Sequence, residues 1–256
     1  MANTDFDLAY FERMAALEDR HPWTRSMRRL TFDLLARHGA KGGQSLLDAG
    51  CGTGLFLRDW RARFGEGRDV GIDFAWPALP LALRRTNAAL AGASASELPL
   101  AADSFDAVHS ADVLQHMTVA GARGALGEFF RVLRPGGLVA LRLRATRRLI
   151  PNVPDVDFDH AYTPALLGQQ LVEAGFTVLF LRRVNLLPSL AAELSQRFQP
   201  PVADDAAPVK GIALRSADDW RGQVLGAYLA AERTWLTAGL PGLPVGHTIL
   251  AIGRKG

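Results

Sequence analysis

The sequence of 256 residues has a single cysteine, Cys51. A lone thiol excludes an internal disulfide and a cysteine-rich zinc site. Lysine is confined to Lys41, Lys210 and Lys255, so arginine carries almost all the positive charge. The formal net charge of +3 rests on 29 basic against 26 acidic residues, a small excess. The arginine bias has two readings, a compositional habit of the genome and phosphate recognition by guanidinium forks. No uninterrupted apolar run approaches the roughly 20 residues that a membrane span needs. The opening MANTDFDLAYFER carries aspartates and lacks the apolar core of a secretory leader, which predicts a cytoplasmic protein. What is present is ordinary for a chain that buries a core: 48% hydrophobic and 21% charged residues. The length suits one substantial α/β domain with appendages.

Periodicity predicts helices over 6–38, where Phe6, Tyr10, Phe11, Met14 and Leu17 recur at helical spacing and Pro22 interrupts before Met27, Leu30, Leu34 and Leu35. Strands are expected at 45–50, 69–74, 105–110 and 138–145, alternating with helices at 55–64, 119–133 and, more weakly, 78–91. Arg134-Pro135-Gly136-Gly137 reads as a turn. Thr163-Pro164 opens a helix through Glu173 that Gly175 stops, followed by strands at 176–184 and 247–255. Helix-like stretches near 188–198 and 217–238, separated by the linker 199–211, form an insertion too long for a hairpin loop. The strand–helix alternation implies a parallel sheet covered on both faces.

The most informative stretch is Asp48-Ala49-Gly50-Cys51-Gly52-Thr53-Gly54, where a strand runs into glycines and a helix begins. Such a turn lets a ligand approach the main chain and the free N–H groups of the helix. The spacing departs from the G-x-G-x-x-G of dinucleotide sites, because Leu55 stands where a third glycine is wanted. The stretch resembles the first motif, (D/E)-x-G-x-G-x-G, of the class I S-adenosylmethionine-dependent methyltransferases, of the type 11/25 kind. Asp73 in VGIDF, the segment SASELP (94–99) with DSFDAV (103–108), and VLRPGGLVAL (132–141) match further elements of that family in order. The resemblance covers about 41–185 and the last strand. It implies an α/β fold: a Rossmann-like, doubly wound, seven-stranded, mostly parallel sheet with an N-terminal helical cap and a helical insertion before the last strand. The corresponding organisation is a cap at 1–40, a cofactor-binding domain at 41–185 and 247–256, and the insertion at 186–246.

S-adenosyl-L-methionine is the cofactor the resemblance implies. Asp48, Gly50, Cys51, Gly52 and Gly54 belong to its glycine turn, with Cys51 offering backbone only. Asp73 takes both ribose hydroxyls, which suits a carboxylate because its oxygens accept two donors at once. Phe74 packs on the adenine face or, alternatively, in the core. Ser94 stands where the family has an aspartate accepting from the adenine amino group, and the N–H of Ala95 faces adenine N1. Ser110 and Ala111 follow the fourth strand on the cofactor side. The segment from Leu17 to Arg29 also resembles a cap segment of one methyltransferase subgroup. In that resemblance Arg25 pairs with the methionyl carboxylate; the other reading is a solvated arginine. Tyr10 and Trp23 either wall the substrate side or fasten the helices to the sheet.

Methyl transfer from a sulfonium needs alignment and water exclusion more than acid–base work, though a hydroxyl acceptor gains from a base. His116, in a segment resembling the family's D-V-L-E-H stretch, is the candidate base; a structural histidine is the alternative. Gln115 in place of a glutamate argues against a metal ion there. His160 with Tyr162 also lies on the strand-end side, and the alternating Asp155, Asp157 and Asp159 either attract a cationic substrate or form an ordinary acidic loop. DNA is not an expected partner: the carbon-5 chemistry needs a nucleophilic cysteine outside the cofactor turn, and the (D/N/S)-P-P-(Y/F) motif of amino-directed enzymes is absent. Arg142, Arg144, Arg147 and Arg148 form either a phosphate contact or a solvated rim. The expected activity is methylation of an oxygen or nitrogen atom of a small molecule. Protein or peptide methylation, and a non-catalytic cofactor-binding module, are the alternatives. The 186–246 insertion fits a lid or a homodimer contact equally.

Overall fold

The computed structural model describes residues 7–145, 162–189, 220–242 and 246–256. Phe6, Arg147, Arg148, Asp155, Asp157, Asp159, His160, the linker 199–211 and all but the start of the helix expected near 188–198 lie outside the described residues.

Helix α1 (Leu8–Leu17) starts where the Asp7 side chain accepts the N–H of Tyr10 at 2.7 Å, which satisfies an otherwise unpaired helical donor. Helix α2 (Pro22–Arg37) opens on proline, whose missing N–H costs nothing at the first helical position, and buries Met27, Leu30, Leu34 and Leu35. The chain then alternates β1 (Leu46–Ala49), α3 (Leu55–Phe64), β2 (Val70–Asp73), α4 (Leu79–Leu83), β3 (Ala89–Gly92), β4 (Phe105–Ala111), α5 (Val119–Val132), β5 (Leu133–Arg144), α6 (Pro164–Glu173), β6 (Phe176–Val184), α7 (Trp220–Thr237) and β7 (Thr248–Lys255).

The seven strands form one sheet in the order β3-β2-β1-β4-β5-β7-β6. The first five are parallel, and β7 runs antiparallel to both β5 and β6. Every residue of β1 is buried, as a central parallel strand covered on both faces requires. Helices α5 and α6 close one face through residues such as Leu126, Phe129 and Leu171. Helices α2, α3 and α7 close the other through Leu30, Trp60 and Leu229. Helix α7 lies along α2, joined by Arg233 to Asp33 at 2.9 Å. Because the chain steps from β3 back across β1 to β4, the helices that follow β1 and β4 lie on opposite faces of the sheet, and ligands bind at such a switch point in sheets of this type.

Two elements differ from the sequence expectation. The helix expected over 78–91 stops at Leu83, and Ala89–Gly92 becomes edge strand β3, in register with Val70–Asp73. Alanine and leucine favour a helix locally, but pairing with β2 satisfies the backbone and overrides that preference. The Arg134–Gly137 turn interrupts strand β5 rather than preceding it: Leu133 pairs with Phe105, and pairing resumes at Leu138 opposite Ala107.

Candidate active site

At the end of β1 the backbone N–H groups of Gly50 and Cys51 both reach Ile72 O, at 2.8 and 2.9 Å, which folds the turn over the tip of β2. Gly50 has φ +84°, and a Cβ there would collide with Cγ2 of Val113. Gly54, with φ +76°, caps α3 and abuts Ala82, 3.0 Å from where a Cβ would stand. Both positions therefore demand glycine for conformation and for space. Cys51 is buried, and burial with the nearby Asp48 and Asp73 pushes its thiol far above the ordinary range.

Asp73, at the tip of β2, accepts the N–H of Gly52 at Oδ2 and that of Ala75 at Oδ1, each at 2.7 Å. Each carboxylate oxygen keeps a further lone pair for an outside donor. Burial raises the Asp73 carboxyl above its usual range against the pull of these two N–H groups. Phe74 is 76% exposed, which excludes the core reading and leaves an aromatic face beside Asp73. Ser94 follows β3, with its hydroxyl 2.9 Å from that of Ser96, and Ala95 next to it is buried. A carboxylate with spare acceptor sites, a turn that only glycine can make, an exposed ring and a short hydroxyl loop at adjoining strand tips fit a nucleoside cofactor.

Asp48 is 1% exposed, and its Oδ1 lies 2.7 Å from His109 Nδ1 on the neighbouring strand. Ser110 is also buried and donates to Ala49 O at 2.8 Å, so its hydroxyl serves the β1–β4 seam, whereas Ala111 is half-buried at the strand tip. Beyond it, Asp112 has φ +59° and accepts from Arg142 Nε and Nη2 at 3.1 and 2.5 Å. The Arg142 guanidinium sits 5.2 Å above the Trp23 ring. Tyr10 of α1 faces the same group: its hydroxyl is raised by burial, then by the charges of Asp112 and Glu18. His116 is exposed in the short helical turn Leu114–His116. Arg25 is exposed on α2 and lines a surface depression with Arg28, Arg58 and Asp59.

The structure thus brings Asp48, Gly50, Cys51, Gly52, Gly54 and Asp73 together at one turn and sets Ser94 and Ala95 at the tip of β3. Sequence reasoning missed His109 and the Asp112–Arg142 pair. The His109–Asp48 contact depends on the register that sets Asp48 opposite His109, and neither strand carries a local signal for it.

A glycine turn between the first strand and helix, with an acidic residue at the tip of the second strand, defines a Rossmann-like nucleotide-cofactor-binding domain. A family model described as a methyltransferase domain matches residues 46–137. The chain is 32% identical over 190 residues to a 37.1 kDa protein of transposon TN4556 from Streptomyces fradiae, covering 67% of this chain and 52% of that one. It is 29% identical to a malonyl-[acyl-carrier protein] O-methyltransferase of Laribacter hongkongensis, over 86% of this chain and 78% of the other. Among solved structures, the methyltransferase in complex with the Haloferax volcanii Trm112 activator shares the fold, with a TM-score of 0.61 and 22% identity, over 96% of this chain and 94% of that one. The matched residues hold the glycine turn and Asp73, and the fold is that of the class I S-adenosylmethionine-dependent methyltransferases, whose cofactor is S-adenosyl-L-methionine. The chain spans 52%, 61% and 40% of the first three curated relatives it matches, about half their length.

Proposed function

We propose that the chain transfers a methyl group from S-adenosyl-L-methionine to an oxygen or nitrogen atom of a small molecule. The observation that carries this reading is the Asp73 carboxylate, held by Gly52 and Ala75 with acceptor capacity to spare beside the glycine turn. When bound, the cofactor supplies a methyl group on a positively charged sulfonium. Asp73 accepts the ribose hydroxyls, Phe74 lies on the adenine, and the Ser94 hydroxyl and Ala95 N–H serve the adenine edge. Ser110 and Ala111 flank the turn, whereas Arg25, in the depression with Arg28, Arg58 and Asp59, takes the solvated reading. The acceptor molecule enters over the ends of β4 and β5, beside Tyr10, Trp23, Asp112 and Arg142. Alignment there, with water excluded by the cap helices, supplies most of the rate. His116 takes the proton of a hydroxyl acceptor, whereas a neutral amine attacks without help and loses its proton afterwards.

The name of the Laribacter relative favours oxygen as one acceptor atom. Carbon-5 methylation of DNA is disfavoured because the single cysteine, Cys51, lies buried within the cofactor turn, and amino-directed methylation because SADVLQ stands where the (D/N/S)-P-P-(Y/F) motif is wanted. Among the described residues no helix is long and apolar enough to cross a membrane. The 186–246 segment, whose Val224 and Trp235 are exposed on α7, is proposed as an acceptor lid or a homodimer contact.

The test is incubation with methyl-labelled cofactor and panels of alcohols, carboxylic acids, amines and peptides. Label on a small molecule, reduced in His116→Asn for hydroxyl acceptors alone, supports the reading. Label on peptides alone replaces it with a peptide methyltransferase, and cofactor binding without any transfer replaces it with a regulatory module.

A further inference from the structure

The glycine turn is also gripped from outside by the cap. Thr53, the residue between Gly52 and Gly54, is 1% exposed, and its hydroxyl donates to a carboxylate oxygen of Glu18, one residue beyond α1. Arg85, just after α4, donates through Nη1 to the same Glu18 oxygen and to Thr53 Oγ at 3.1 Å, and through Nη2 to Ala15 O at 2.6 Å. The Glu18 carbonyl in turn accepts from Thr24 Oγ at 2.6 Å and Arg28 Nη1 at 3.2 Å, both on α2. Side-chain exposure of the Arg85–Glu18 pair is 19% and 12%, so the charges are held by each other and by Thr53 more than by water. Met14 of α1 lies directly over the turn, its Cε 3.5 Å from where a Cβ on Gly52 would stand.

The position of Thr53 bears on the cofactor through its neighbour. The N–H of Gly52 is the donor that holds Asp73 Oδ2, and only the Gly52 Cα separates that peptide unit from the one that joins Thr53, so the placement of Thr53 bears on where the ribose carboxylate stands. We infer that Glu18 and Arg85 are positioning residues for the cofactor: they clamp Thr53, align the Gly52 N–H with Asp73, and tie cofactor affinity to the closed state of α1. By linkage, the cofactor then favours the closed cap by the same free energy with which the clamp favours the cofactor. The inference rests on the cofactor assignment. Binding of S-adenosylhomocysteine by the unaltered protein tests that assignment separately.

The neighbouring Asp19 provides the control. It also fastens the end of α1, by a bidentate pair with Arg58 at 2.7 and 3.1 Å and a looser approach to Arg85 at 3.9 Å, but it touches no atom of Thr53, and the Arg58 pair is partly exposed. Exposed pairs of this kind contribute little. The experiment titrates S-adenosylhomocysteine calorimetrically into wild type, Glu18→Gln, Thr53→Val, Thr53→Ser and Asp19→Asn, with tryptic cleavage at Arg13 and Arg20 followed with and without the ligand. Glu18→Gln and Thr53→Val are expected to weaken binding by roughly tenfold or more, as for loss of a hydrogen bond to a charged group. Ligand protection of Arg13 and Arg20 should be lost in both. Thr53→Ser, which keeps the hydroxyl, should retain affinity and protection, and Asp19→Asn should stay near wild type. If Glu18→Gln fails to fold, the Val and Ser variants of Thr53 carry the same comparison. Equal affinity of Thr53→Val and Thr53→Ser, or equal losses for Glu18→Gln and Asp19→Asn, would overturn the inference.

Discussion

His109 and Asp48 face each other across β1 and β4 as a buried pair, Nδ1 to Oδ1 at 2.7 Å, with the imidazole stacked on Phe56 at 3.4 Å between ring centroids. The pair lies directly below the cofactor turn, because Asp48 is two residues from Gly50. A carboxylate at 1% exposure depends on its partner. His109→Leu is therefore expected to destabilise the fold by about 3–5 kcal/mol, the cost of leaving one member of a buried pair. The double variant with Asp48→Asn should recover part of that loss. Urea denaturation of the four proteins in the cycle checks both statements.

Asp73 gives the cofactor affinity a pH dependence. Ribose hydroxyls donate to the ionised carboxylate, and burial raises this carboxyl above the ordinary aspartate range. Affinity for S-adenosylhomocysteine should be full at neutral pH and fall as pH drops through the raised value, beginning at a higher pH than an exposed aspartate would give. The sign follows because the bound state selects the deprotonated form. Titrations across pH should show this limb in wild type and its absence in Asp73→Asn, whose affinity is low throughout.

Phe74 separates binding from folding. With 76% of its surface exposed, Phe74→Ala should leave stability within about 0.5 kcal/mol, as for surface substitutions in general. The same change should weaken S-adenosylhomocysteine several-fold through loss of the ring face. A melting curve and a titration on one sample measure both.

Cys51 should be chemically silent. Its thiol is buried, and its carboxylate neighbours disfavour the thiolate that reacts. Iodoacetamide is expected to leave the folded protein unmodified and to label it in guanidinium chloride, as read by intact mass.

Much of this was legible in the residues alone, and the parts that were not share a cause. The glycine turn, Asp73 and the α2 and α6 boundaries are written locally, in glycine spacing, in Pro22 and in the Thr163 cap, whose side chain accepts the N–H of Leu166 at 3.1 Å. Strand β3 was hidden because its alanines and leucine favour a helix and become a strand only against β2. His109 and the Glu18–Thr53–Arg85 clamp were hidden because each joins residues far apart in the chain whose meeting depends on sheet register or helix docking. Phe74 was ambiguous for a related reason: an aromatic beside a strand tip reads as core until its exposure is known.

The role of Asp73 in holding a sulfur nucleotide is read from calorimetric titration of the purified protein, and of Asp73→Ala, with S-adenosylmethionine, S-adenosylhomocysteine and NADH. Saturable binding of both sulfur nucleotides to the wild type, loss of that binding in Asp73→Ala, and no binding of NADH are expected. Binding of NADH in preference, or sulfur-nucleotide binding that is indifferent to Asp73, would contradict that role.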